Sequence, residues 1–161
     1  MIKTYLLIFF CLISKFSFSQ VNATVIKIDE LKSMLKAKSD TTYVINFMAT
    51  WCKPCLAEIP IFEQVAKENL LSKFKLGYIS LDAFEDLSKK LNTLIVQKNI
   101  QNKIYLLDEP AFTSWIGIVE PNWNGAIPIT LIFNPEKKTK SIIRNATTYQ
   151  QLSTTVAEHL N

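Results

Sequence analysis

Two cysteines three positions apart sit where an apolar run meets a helical period. Tyr43 to Ala49 reads YVINFMA, Trp51-Cys52-Lys53-Pro54-Cys55 follows, and Leu56, Ile59, Phe62, Ala66 and Leu70 then recur on one side of a helix. An apolar run of that kind marks a strand covered on both faces. The chain must therefore place helices on two sides of a sheet and hold the cysteine pair at a strand-to-helix junction. A thiolate is the attacking species in disulfide exchange, and a helix N-terminus supplies partial positive charge that stabilises it. Cys52 is the expected nucleophile. Cys55, inside the first turn, can close on Cys52 with little access to solvent and is the expected resolving thiol. Lys53 adds a cation beside the nucleophile, and Pro54 suits a first turn, where its missing donor costs nothing. Both are expected to tune the redox potential.

The N-terminus decides how many cysteines matter. Met1 to Gln20 has a cation at Lys3, nine apolar residues from Tyr5 to Ile13, and small residues at Ser17 and Ser19. That is the layout of a secretory signal peptide cleaved after Ser19, and the apolar run is about half of the ~20 residues a spanning helix needs. Residues 1–19 are read as the signal and residues 20–161 as one domain, which makes the product exported, periplasmic or otherwise extracytoplasmic. Cleavage removes Cys11, and Cys52 and Cys55 become each other's sole intramolecular partner in a compartment that permits disulfides.

Composition excludes several functions. Lys and Arg number 18 against 14 Asp and Glu; losing Lys3 and Lys15 leaves a balance with no nucleic-acid footprint. Gly77, Gly117 and Gly125 are too far apart to write a phosphate or dinucleotide loop, so no nucleotide is expected. The chain has one arginine, Arg144.

Further elements follow from periodicity. Val21 to Ile28 reads as extended, Asp29 to Lys38 as a helix, Cys55 to Leu71 as a helix kinked at Pro60, and Leu76 to Leu81 as a buried strand. Asp86 to Gln97 reads as an amphipathic helix. Lys103 to Leu107 and Ile129 to Phe133 read as strands, Ser141 to Ile143 as an edge strand, and Tyr149 to Leu160 as a closing helix. Asp108 to Asn124 is the least regular stretch and is expected to rim a surface. The whole predicts an α/β sandwich with parallel and antiparallel strands.

The chain resembles the thioredoxin superfamily, and within it the secreted TlpA/ResA-like branch. The resemblance rests on Trp51-Cys52-Lys53-Pro54-Cys55 with its preceding strand, on Pro60, and on Gly125-Ala126-Ile127-Pro128-Ile129-Thr130, and runs from about Ile28 to Leu160. It implies a thioredoxin-like fold, a central mixed β-sheet flanked by helices. It also implies a cis bond at Pro128 packed opposite the nucleophile, with Trp51, Ile127 and Pro128 binding substrate and the backbone before Pro128 pairing with it as an added strand. Cytosolic members carry a buried acid six residues before the nucleophile. Asn46 stands there, as in the secreted branch, and is expected with Lys53 and Pro54 to tune the redox potential; Glu58 matches that branch's glutamate three residues after the second cysteine. A carboxylate near Cys55 can accept the resolving thiol's proton, with burial raising its pKa toward a useful range; the alternative is a solvated first-turn glutamate stabilising the helix dipole. The implied activity is an exported thiol-disulfide oxidoreductase, a reductase of protein disulfides. It would work as a monomer, need no cofactor, and be recharged by a membrane-borne electron donor.

Other readings of the same residues remain open. A zinc site needs four ligands, and the mature chain offers two cysteines and His159, so no metal is expected. A structural bridge closing so short a loop is a weak staple. A thiol peroxidase wants a threonine and an arginine around the reactive cysteine, and Thr50 is one residue too close to Cys52. A peptide-binding module using the groove beside Pro128 is the reading from a different class. His159 is expected to be a solvated residue of the closing helix, and Trp115 and Trp123 to pack in core or rim.

Overall fold

The computed structural model describes residues 21–36, 38–109 and 112–161. The expected signal peptide, residues 1–19, lies outside the described residues. In chain order the elements are β1 (Thr24–Ile26), α1 (Ile28–Leu35), β2 (Thr42–Met48), α2 (Lys53–Glu68), β3 (Phe74–Ser80), a π-helical turn (Leu87–Leu91) running into α3 (Asn92–Gln97), β4 (Lys103–Leu107), α4 (Phe112–Val119), β5 (Ile129–Asn134), β6 (Thr139–Arg144) and α5 (Tyr149–Leu160).

The strands form one sheet in the order β1-β4-β3-β2-β5-β6. The first four are parallel to their neighbours, and β5 and β6 run antiparallel. This is the mixed α/β sheet that the alternating strands and helices predict. Alternation along β2 sends Val44 and Met48 into one layer, with Ile59 and Phe62 of α2 and Leu152 and Val156 of α5. It sends Ile45 and Phe47 into the other, with Leu31 of α1 and Trp115 and Val119 of α4. Full burial of such a side chain is worth about 1.5–3 kcal/mol, so both layers anchor β2 and the junction that follows it.

Register brings the functional segments to one edge. Met48 pairs with Ser80, Phe47 with Ile129, and Ile129 with Arg144. The carboxyl ends of β2, β3 and β6 and the start of β5 therefore share the edge of the sheet where α/β proteins place their sites.

Four expectations are corrected. Asp108 to Asn124 is not merely a rim: it contains α4, and Trp115 and Trp123 are buried and pack ring against ring at 5.8 Å between centroids. Pro110 and Pro121 lie either side of this helix in sequence and so bracket it rather than break it. The single helix expected over Asp86 to Gln97 is a π-helical turn followed by α3; a four-residue leucine spacing does not reveal whether a turn closes at four or five residues. The helix carrying Pro60 begins at Lys53 rather than Cys55 and ends at Glu68 rather than Leu71, with Pro60 on its exposed side. His159 is buried, not solvated: Thr139 Oγ1 lies 2.7 Å from Nδ1 and Ser141 Oγ 2.9 Å from Nε2, and burial holds its pKa below the usual histidine value.

Candidate active site

Cys52 is the N-cap of α2, with extended backbone dihedrals, and its sulfur accepts the Cys55 N–H at 3.3 Å. One otherwise orphaned donor of the first turn is thus aimed at the sulfur, which is how a helix terminus stabilises negative charge there. Pro54 occupies the first turn, where it forfeits no bond. Cys52 and Cys55 are joined by a disulfide, with Cα atoms 5.3 Å apart. Cys52 is 5% exposed and Cys55 fully buried, so the first sulfur is the one a partner can reach. Trp51 (67% exposed) and Lys53 stand in solvent on either side of it.

Facing the pair across the edge is the segment before β5. The Ile127–Pro128 bond is cis, and the Ile127 carbonyl oxygen lies 3.9 Å from Cys52 Sγ. The Pro128 carbonyl accepts the N–H of Asn145 at 3.1 Å, tying this segment to the end of β6. Cys52 and the Ile127–Pro128 segment are thereby brought together, with Trp51 next to Cys52 in the chain.

Asn46 and Glu58 meet beneath it. Both are buried, Glu58 at 2% exposure. Asn46 Nδ2 donates to Glu58 Oε1 at 2.8 Å and to Thr130 Oγ1 at 3.0 Å, and the Thr147 N–H donates to Glu58 Oε2 at 3.0 Å. Asn46 Oδ1 is buried without a hydrogen-bond partner. Burial raises the Glu58 pKa above the ordinary carboxylate value, against the opposing pull of the Thr147 N–H and the Asn46 amide. The solvated first-turn glutamate is excluded, since Glu58 lies within the core. It is one helical turn beyond Cys55, on the same face of α2.

The sequence reading missed a second support. Asp82 is buried just past β3 and accepts the Thr50 N–H at 3.0 and 3.1 Å, the Thr50 hydroxyl at 2.6 Å and the Ser80 hydroxyl at 2.6 Å. It anchors the residue immediately before Trp51. The available signal was a serine and an aspartate at the carboxyl end of a buried strand, where α/β sheets present functional groups. Thr147 offered no signal, because its part is played by a backbone N–H. Arg144, the one arginine, bonds Glu120 at the end of β6.

A disulfide capping a helix at the end of a doubly covered strand, opposed by a cis-proline segment, defines a dithiol–disulfide redox domain. The family model for thioredoxin matches residues 21–102, and the chain belongs to the thioredoxin family. It is 34% identical over 84 residues to a thioredoxin of Echinococcus granulosus, covering 49% of this chain and 77% of that one. It is 28% identical over 127 residues to the thiol-disulfide oxidoreductase ResA of Oceanobacillus iheyensis, covering 78% of this chain and 61% of that one. Among solved structures, the thioredoxin-related protein of Neisseria meningitidis serogroup B superposes with a TM-score of 0.66 at 20% identity, over 78% of this chain and 89% of that one. That likeness speaks to the fold.

Proposed function

We propose that the protein is an exported thiol-disulfide oxidoreductase of the ResA-like kind, working as a reductase of protein disulfides. The observation that carries the reading is the Cys52–Cys55 disulfide at the N-terminus of α2, with the more accessible sulfur facing the cis Ile127–Pro128 segment.

In the reducing direction the Cys52 thiolate attacks one sulfur of a partner disulfide, forming a mixed disulfide and releasing the other sulfur as a thiolate. Cys55, deprotonated, then attacks Cys52 Sγ, closing the internal disulfide and releasing the partner as a dithiol. Two electrons pass to the partner, and a membrane-borne dithiol donor would restore the pair. Glu58 is the proton acceptor for Cys55, a role its burial and raised pKa support. Asn46 orients Glu58, and Lys53 and Pro54 tune the potential. Trp51, Ile127 and Pro128 hold the client chain. The apolar run of Met1 to Gln20 is the export signal, and the working unit is a monomer.

The deciding measurement is the redox equilibrium of Cys52 and Cys55 against glutathione, with insulin as a test disulfide. A potential near the thioredoxin end of the range, about −270 mV, with catalysed insulin reduction is expected. A value near about −120 mV would make the protein an oxidant.

A further inference from the structure

Against Pro128 is a cavity of about 190 Å³. Its walls include Trp123, Asn122, Asn124, Pro128, Arg144 and Asn145. It shares Pro128 with the redox site and opens at the same edge of the sheet, since Arg144 pairs with Ile129, the residue after Pro128.

Its electrostatics are one-sided. Glu120, almost wholly buried, accepts Arg144 Nη2 at 3.3 Å and Lys140 Nζ at 3.1 Å. Glu120 is thus shared with Lys140, and Arg144 is the one charged residue that lines the cavity, its side chain 51% exposed. The guanidinium carries five donors in a planar fork suited to a carboxylate. Asn124 Oδ1 accepts the Ala126 N–H at 3.0 Å, which commits the oxygen and leaves the NH2 as a donor. The opposite flank of the disulfide is of contrary sign: the cavity beyond β3 and β4 is lined by Glu85 and Glu109 together with Asp82 and with Asp108, which Lys27 pairs at 2.8 Å. An extended client crossing the edge beside Ile127 therefore meets cationic and amide donors on one side and carboxylates on the other.

We propose that the cavity between Pro128 and Arg144 is a specificity subsite for a carboxylate side chain, an Asp or Glu of the client polypeptide close in sequence to its reactive cysteine. The proposal rests on the oxidoreductase reading above. Pro128 and Trp123 form the apolar walls, Arg144 supplies charge, and Asn124 and Asn145 supply amides. The acidic flank disfavours the opposite chain direction, so the subsite fixes the register of the client as well as its charge.

The test uses the protein with Cys55→Ala, so that exchange stops at the mixed disulfide. Its probes are short peptides bearing one cysteine in mixed disulfide with thionitrobenzoate. Cys52 attacks the peptide sulfur, the Cys52–peptide disulfide forms, and thionitrobenzoate, the better leaving group, departs and is read by its colour. Glu, Gln or Lys is placed in turn at each of the three positions on either side of the cysteine. At one position Glu is expected to react about three- to fivefold faster than Gln, the scale of a half-exposed ion pair, and Lys slower than Gln. Added salt should compress the difference. Arg144→Gln should level the three rates, and Asn124→Asp, which keeps the acceptor for the Ala126 N–H, should shrink the Glu advantage in the same way. Equal rates for Glu, Gln and Lys at every position, or a Glu preference that survives Arg144→Gln, overturns the subsite. Failure of every peptide to react overturns the oxidoreductase reading and the subsite with it.

Discussion

Glu58 is where the electrostatics of the core and the chemistry of the pair meet, and two substitutions separate them. Glu58→Gln preserves shape. Gln Oε1 can accept the Thr147 N–H. If Asn46 keeps its orientation, its Nδ2 faces Gln Nε2; if it rotates, its NH2 takes the buried position that has no partner. One buried amide donor loses a bond in either case, at about 1–3 kcal/mol. Glu58→Ala leaves the Thr147 N–H unpaired and removes one of the two acceptors of Asn46 Nδ2. At about 1–3 kcal/mol for a buried donor left unmade and about 0.8 kcal/mol for the lost methylene, its cost is about 2–4 kcal/mol.

The pH dependence follows from the direction of the Glu58 shift. Its folded pKa lies above the ordinary value of 4.5 because burial penalises the charged form. In acid both folded and unfolded chains hold the proton, so the stability gap between Glu58→Gln and the wild type is constant there. As pH rises from 4.5 through the raised value, the unfolded chain releases its proton more readily, so the wild type loses stability that the Gln variant keeps. Urea midpoints measured from pH 4 to pH 8 should show the variant gaining on the wild type and then levelling. A difference that is flat or runs the other way would refute this account of the buried carboxyl. In the same variant the attack of Cys55 on the mixed disulfide should slow about 10²-fold, the low end of general-base contributions. Resolution at the wild-type rate would remove Glu58 from proton transfer.

Three further outcomes are expected. Asp82→Ala should cost about 2–4 kcal/mol through the loss of charged acceptors for Thr50 and Ser80, and hydrogen exchange should show lost protection at the Thr50 amide with that of β5 retained. His159→Gln, keeping one of the two hydroxyl partners, should be about 1 kcal/mol less stable at pH 7.5. Below pH 6.5 the unfolded chain takes up a proton that buried His159 refuses, Glu158 and Lys137 pulling its pKa in opposite directions, so the wild-type advantage should shrink on acidification; a gap that widens in acid would contradict the burial of this ring. Cys52→Ser should abolish mixed-disulfide formation and Cys55→Ser should trap it, as read by mass spectrometry. The reverse pattern would exchange the two roles.

Much of this fold is legible without coordinates where a signal is local. Lys103–Leu107 and Tyr149–Leu160 occur at the bounds their periodicity predicts. The run from Tyr43 to Ala49 contains the doubly covered strand, and the cysteine pair caps the helix after it. These readings succeed because a strand covered on both faces, a helical stripe and an N-cap are each written within a few residues. Asp108 to Asn124 resisted because its prolines and its tryptophans pull a local reading toward a surface loop, and the layer that buries the tryptophans is assembled from α1, β2 and β5.

The sequence by itself determined the chemistry: two sulfurs at a strand-to-helix junction, few glycines, one arginine, and therefore thiol exchange rather than phosphate or nucleic-acid work. The tertiary structure decided the states of the groups around that chemistry. Glu58 is buried because Asn46, twelve residues away, and Thr147, eighty-nine away, close over it. His159 is buried because β6 folds back beneath α5. Arg144 stands beside Pro128 because two antiparallel strands bring them to one edge. A side chain's charge state and accessibility depend on the dielectric and the partners around it, and those come from segments far away in the chain.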